Sequence, residues 1–214
     1  MVPGGAPRAA ILPRMPTIPS VWGERDFRRL WAATGVSMLG SFVTRTALPF
    51  AAILVLGAGA AEVGLIRGAE LVAGLVVGLI AGAWVDRLRR RPILIWADLG
   101  RAVLLGSVPV AFAFGGLTLA HLVVVAFGAA ILTTFFDTAD RAYLPTVIGR
   151  DRLVEANSTL TGTGAAAEFV GFGISGWLIQ LLTAPIAIAL DALSFLASAL
   201  VLRTIRAEEA LCAG

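Results

Sequence analysis

Gly82-Ala-Trp-Val-Asp86-Arg87-Leu-Arg89-Arg90-Arg91 closes one long apolar run and opens the next. A hydrocarbon layer about 30 Å thick takes roughly 20 apolar residues per helical crossing, so a short charged turn between two such runs reverses the chain at a membrane surface. The whole composition agrees. With 58% hydrophobic residues, 14% charged residues and a mean hydropathy of +0.88, the 214-residue chain carries more apolar surface than a soluble domain of that size can bury.

Working outward from the turn, apolar runs are expected as helices over 30–56, 63–85, 92–114 and 117–136. After Asp137 the stretch Thr-Ala-Asp140-Arg141-Ala-Tyr-Leu-Pro145-Thr-Val-Ile-Gly-Arg150-Asp151-Arg152 is polar, with a proline and a glycine, and is expected to leave the bilayer core. The 44 residues 159–202 are broken only by Glu168 and Asp191. As one helix they would measure roughly 66 Å, so two crossings are needed, with Thr183-Ala184-Pro185 as the hinge. This gives an all-α polytopic membrane protein of six transmembrane helices. Residues 1–22, with five prolines among the first 19, are expected as a disordered cytoplasmic tail, 23–206 as the six-helix bundle, and 207–214 as a C-terminal tail.

All seventeen basic residues are arginine, and their placement sets the orientation. With the N-terminus in the cytoplasm, Arg25, Arg28, Arg29, Arg87, Arg89, Arg90, Arg91, Arg141, Arg150, Arg152, Arg203 and Arg206 fall inside, and the outer turns near 57–62, 115–116 and 183–185 carry none. That distribution follows the positive-inside rule and supports an even number of crossings, with both termini cytoplasmic in a bacterial plasma membrane. It also accounts for the net charge of +3 without a nucleic-acid partner. Cys212 is the only cysteine, so neither a disulfide framework nor a cysteine metal site can be argued. No metal or cofactor is implied. A Gly-x-x-x-x-Gly-Lys-Ser/Thr phosphate loop is excluded, since the chain has no lysine.

Charges inside the spans are the sharper signal, because each costs at least about 2.5 to 3.5 kcal/mol near the bilayer centre unless paired or wetted. Arg67 and Glu70 stand three apart, as do Asp98 and Arg101, and each pair can neutralise itself along one helix face. Arg45, Glu168 and Asp191 lack such a neighbour and are the candidates for transport or proton coupling. Small residues recur four apart at Gly74, Gly78 and Gly82, and again at Ala167, Gly171 and Ser175 with Gly176 beside them. These strips suit close helix packing.

The opening turn resembles the loop signature Gly-x-x-x-Asp-Arg-x-Gly-Arg-Arg/Lys of the major facilitator superfamily, found between its second and third helices. Gly82, Asp86, Arg87, Arg90 and Arg91 match it, and Arg89 replaces its glycine. Asp26-Phe-Arg-Arg-Leu-Trp31, Ala47-Leu-Pro49, Ala97-Asp98-Leu-Gly-Arg101, Phe136 through Pro145, Glu155-Ala-Asn157-Ser158 and Leu190-Asp191-Ala-Leu-Ser194-Phe195 resemble the branch that includes bacterial siderophore and macrolide exporters. The resemblance implies a 3+3 inverted repeat, alternating access around a central cavity, and export of small amphipathic compounds driven by the proton gradient. It also implies a cytoplasmic gating role for the Gly82–Arg91 loop. The fifth-helix antiporter motif Gly-Pro-x-x-Gly-Gly reads here Gly171-Phe172-Gly-Ile-Ser175-Gly176, without the proline.

Members of that family consist of two six-helix halves, and this chain holds one. The expectation is therefore part of a longer product, or a half that pairs with a separate second half or a second copy. Two other readings come from different classes. A membrane subunit that binds a partner without moving solute needs none of the intramembrane charges. A rhomboid-like serine protease is suggested by Gly173-Ile-Ser175-Gly176, and it needs a histidine within reach of Ser175; His121 is the only one in the chain.

Overall fold

In hydrocarbon every backbone N–H and C=O must be paired within its own segment, and each apolar run accordingly winds into one helix. The computed structural model describes residues 20–207. A short 3-10 turn at Val21–Gly23 leads into α1 (Arg25–Leu56), followed by α2 (Ala60–Val85), α3 (Arg90–Ala113), α4 (Leu119–Ile148), α5 (Leu153–Leu182) and α6 (Ala184–Arg203); a second 3-10 turn, Arg150–Arg152, joins α4 to α5. All six helices are long and apolar enough to cross a membrane, and no strand occurs among the described residues.

The helix ends follow local chemistry. Gly57, at φ +67°, ends α1 in the left-handed conformation that glycine adopts without steric cost. Thr118 accepts the His121 backbone N–H at 3.2 Å and opens α4. The hinge between α5 and α6 falls where the sequence places it, at Thr183. This β-branched residue is held at φ +74°, the sole non-glycine in that region among the described residues. Pro185 follows in the first turn of α6, where a missing N–H costs nothing.

Two expectations are corrected. The stretch after Asp137 does not break away: α4 runs on to Ile148 with Pro145 inside it. Phe136, Ala139, Asp140, Tyr143 and Leu144 are all buried, so a three-four spacing of inward residues carries the helix through its charged positions, and Pro145 lies close enough to the end to forfeit a single hydrogen bond. The expected tail also ends too late. Val21 is fully buried, its N–H donates to Glu155 at 3.3 Å, and Trp22 stacks edge-on against Phe27 and Trp31. The other tail residues, 1–19 and 208–214, lie outside the described residues.

Packing follows a two-part scheme. α1 packs on α5 and α6, α4 packs on α2 and α3, and α3 meets α6. Exchanging α1 with α4, α2 with α5 and α3 with α6 leaves that pattern unchanged, as a 3+3 repeat requires. The interior holds two apolar clusters. One, with Ala47, Leu48, Leu105, Leu122, Ile188 and Phe195, lies toward the turns after α1, α3 and α5. The other, with Phe27, Leu30, Leu94, Phe136, Tyr143 and Leu202, lies toward the arginine-rich ends. α2 and α5 remain the least covered helices after α1, α3 and α6 are packed: Leu65, Leu71, Leu75 and Leu79 on α2 and Phe169 and Trp177 on α5 are exposed.

The glycine strips are only partly packing devices. On α5, a Cβ on Gly171 would lie 2.7 Å from Phe42 Cβ of α1, and Ala167 and Ser175 are buried on the same face. On α2, Gly74 and Gly82 have nothing within 4 Å and Gly78 touches only Thr134 at 4.0 Å; Gly176 on α5 is equally open. The expected α2 strip is thus not a helix contact here, because α2 meets α4 along a different face. Closer approaches occur at Gly40, Gly100 and Gly128. Gly171→Ala should therefore cost about 1 to 3 kcal/mol of stability by overpacking, whereas Gly176→Ala should be neutral or slightly stabilising. Unfolding midpoints of the two variants in detergent micelles check the contrast; equal midpoints contradict it.

Candidate functional site

The buried charges gather at the level between the two apolar clusters. Asp98 and Arg101, one turn apart on α3, form an ion pair and are almost entirely shielded. The Arg101 guanidinium lies between two aromatic rings, 4.4 Å from the Phe136 centroid on α4 and 4.2 Å from Phe195 on α6, so one face meets each apolar cluster. Asp191 on α6 is also buried and accepts from Ser194 Oγ at 3.0 Å, and both Asp137 and Asp191 lie within electrostatic reach of Arg101. The second oxygens of Asp98 and Asp191 have no hydrogen-bond partner among the described residues.

Space for the Asp191 carboxylate is supplied by α1. A Cβ on Gly40 would stand 1.9 Å from Asp191 Oδ1 and 2.3 Å from Ser194 Oγ, so only glycine fits beneath this acid.

Beside this layer opens a cavity of about 640 Å³ walled by α1, α2 and α4, with Arg101 and Asp191 at its back. Arg45, Arg67 and Glu70 line it as well. The Arg67–Glu70 pair forms as its spacing predicts, at 2.8 Å. Arg67 also crosses to α1, donating from Nη2 to the Arg45 carbonyl at 2.5 Å. That carbonyl is free because Pro49, four residues on, has no N–H to offer it. The Arg45 side chain itself is exposed, without an ion pair among the described residues. Thus five of the intramembrane charges singled out by sequence meet at one cavity. Glu168 does not join them: it is exposed on α5, away from the cavity lining.

In the loop from Gly82 to Arg91, Asp86 caps the end of α2 and is exposed, as is Arg87. Asp86 makes no hydrogen bond to an opposing helix among the described residues. Arg91 reaches across to α6, with Nε 3.1 Å from the Leu202 carbonyl and Nη2 2.5 Å from that of Arg203. Arg29 of α1 adds a third such bond, to Thr204 O at 2.7 Å. Two cations therefore close the C-terminal end of α6, where unpaired carbonyls and the helix dipole favour them; Arg90 is half-buried nearby.

Sequence reading missed Asp140, which is buried on α4 and accepts from Thr34 Oγ1 of α1 at 3.2 Å. The signal was present: Phe136, Asp140, Tyr143 and Leu144 keep helical spacing. Ser175 and His121, the pair a serine protease needs, are engaged elsewhere. Ser175 donates to Thr46 at 3.3 Å and His121 pairs with Ser107 at 2.8 Å.

Six membrane-length helices packed as two matching triplets, with a largely apolar cavity into which several charged side chains project, have the architecture of a membrane-transporter bundle. The sequence profile of the Major Facilitator Superfamily matches residues 30–211, and the chain belongs to that family of transporters. It is 34% identical over 155 residues, 71% of its length, to uncharacterized MFS-type transporters of Mycobacterium bovis and Mycobacterium tuberculosis. It is 32% identical over 177 residues, 80% of its length, to the multidrug efflux pump Tap of Mycolicibacterium fortuitum. The chain spans 35% of the length of the first two and 43% of Tap.

The buried ion pair makes a stability prediction. Arg101→Met leaves Asp98 shielded and without its cation and should cost about 3 to 5 kcal/mol, whereas the double variant Asp98→Leu/Arg101→Met recovers most of that loss. A double-mutant cycle on unfolding in detergent measures the coupling, and additive losses contradict the pairing.

Proposed function

We propose that the chain is one half of a secondary transporter that exports small amphipathic compounds by alternating access, coupled to protons. The observation that carries this reading is the 640 Å³ cavity with a buried acid, Asp191, at its back and an unengaged carboxylate oxygen. A carboxylate in that position can exchange a proton with the cavity while Arg101, within electrostatic reach, responds to its charge. Kinship with a multidrug efflux pump supports an amphipathic cargo, and no cofactor is needed beyond the proton gradient.

The cavity needs a second wall. A further six-helix half or a second copy of the chain supplies it in this reading, against the poorly covered α2 and α5. Glu168, exposed on α5, then finds its partner across that junction, and Arg45 meets cargo at the cavity mouth. The strip Gly74, Gly78 and Gly82, open along α2, gives the opposing half a smooth surface to move against. The arginine-rich helix ends favour a bacterial plasma membrane with both termini in the cytoplasm. There the Gly82–Arg91 turn acts as a gate, and Arg91 holds the end of α6.

Membrane vesicles from cells producing the protein in its assembled form test the reading, with ethidium as cargo and an imposed pH gradient. The parent protein should move ethidium in response to the gradient, and Asp191→Asn should reduce that movement to background. Arg45→Ala should raise the ethidium concentration needed for half-maximal movement. Gradient-driven movement undiminished in Asp191→Asn overturns the coupling role. No movement by the parent protein favours a partner-binding subunit instead.

A further inference from the structure

At the end of the bundle where α2 stops and α3 begins, the outward side of α3 and α6 carries a concentration of positive charge. Arg89, Arg91, Arg203 and Arg206 line one recess of about 590 Å³, with Trp96 on its wall and no carboxylate among the described lining residues. Asp26 of α1, close by, is engaged by the Arg29 side chain at 3.2 Å and by the Arg206 backbone N–H at 3.2 Å. Arg91 is also committed, through its bonds to the α6 carbonyls, and it fixes the recess by tying α3 to α6. Arg89, Arg203 and Arg206 are exposed, their charges directed at one space.

The basic recess does not stand alone. Arg89, Pro92 and Trp96 also border a second groove, of about 490 Å³, whose other walls include Leu88, Ile93, Leu132 and Phe135. Trp96 is 72% exposed on the ridge between the two, at the boundary position where an indole is favoured, one end in an apolar layer and the other near charged headgroups. A pocket of cations opening directly onto an apolar trough has the polarity of a single amphiphile: an anionic head joined to a hydrocarbon chain.

We propose that this double recess is a binding site for an anionic phospholipid. The phosphodiester lies against Arg89, Arg203 and Arg206, and one acyl chain runs past Trp96 along the Leu88–Phe135 trough. Guanidinium groups suit the phosphate because they offer paired N–H donors as well as charge, and basic pockets between helices at a membrane surface attract such headgroups at roughly 1 kcal/mol per arginine. The site does not depend on the transport reading. Its consequence is that a lipid bridges α3 and α6 at the end where Arg91 already joins them.

Native mass spectrometry of the full chain, delipidated in detergent, tests the proposal with dioleoyl-phosphatidylglycerol, dioleoyl-phosphatidylcholine and inorganic phosphate as probes. One phosphatidylglycerol should be retained per chain, about tenfold or more in preference to phosphatidylcholine, and millimolar phosphate should not displace it. Arg203→Gln with Arg206→Gln, both exposed, should weaken retention roughly thirtyfold. Trp96→Ala leaves every arginine in place and should also weaken it, which keeps the test decisive if the arginine variant folds poorly. Equal retention of the two lipids, displacement by phosphate alone, or unchanged retention in either variant overturns the site.

Discussion

A guanidinium held at the middle of a lipid-embedded bundle constrains everything packed around it. Arg101 is almost fully buried at the back of the cavity, and its desolvation is offset by Asp98, Phe136 and Phe195. Those residues lie on α3, α4 and α6, so the relative rotation of three helices is set by a single side chain. Apolar residues of similar volume in place of both Asp98 and Arg101 would fill the site at no greater energetic cost. What the ion pair adds is that rotated or shifted arrangements leave a charge stranded in hydrocarbon, at several kcal/mol each.

The same layer explains why α1 is so closely fitted. Asp191 brings a second acid into the seam, and Gly40 is the position at which α1 gives way to it. Asp140, bonded to Thr34, does the corresponding work nearer the arginine-rich end. α1 therefore meets an acid from α6 and another from α4 on its buried face, while α2 and α5 contribute no buried acid. The inverted repeat divides labour accordingly: α1, α3, α4 and α6 build a fixed polar frame, and α2 and α5 present surface.

The spans and their order are legible in the sequence because the hydrocarbon layer imposes a length and disfavours charge, and both requirements show as long apolar runs with few charges. The ion pairs Arg67–Glu70 and Asp98–Arg101 are legible because three-residue spacing places partners on one face. Less was visible wherever contact comes from elsewhere in the chain. The continuation of α4 through Asp140 and Pro145 is hidden because charge and proline ordinarily signal an exit; only the helical spacing of Phe136, Asp140 and Tyr143 contradicts them. Gly40 stands in no repeat, and its importance lies in an acid 151 positions away. The evenly spaced Gly74, Gly78 and Gly82 look like a packing strip yet face open space, since spacing reports a smooth surface and not what lies against it.

Pro49 shows how such distant contacts arise from a local defect. In a helix interior it removes the hydrogen bond that the Arg45 carbonyl would receive, and an orphaned carbonyl in an apolar layer needs another donor. Arg67 supplies it from α2, and its charge is balanced in turn by Glu70. The proline thus converts a backbone fault into a tie between two helices that otherwise touch little, at the edge of the cavity. That tie differs in kind from the Asp98–Arg101 lock. It is exposed and rests on one carbonyl, and its guanidinium has water as an alternative partner, so breaking it strands no charge. A bundle with one buried lock and one solvent-accessible tie on opposite sides of the same cavity has a stiff wall at α3, α4 and α6. The edge between α1 and α2, which touch little beyond this tie, has no such lock.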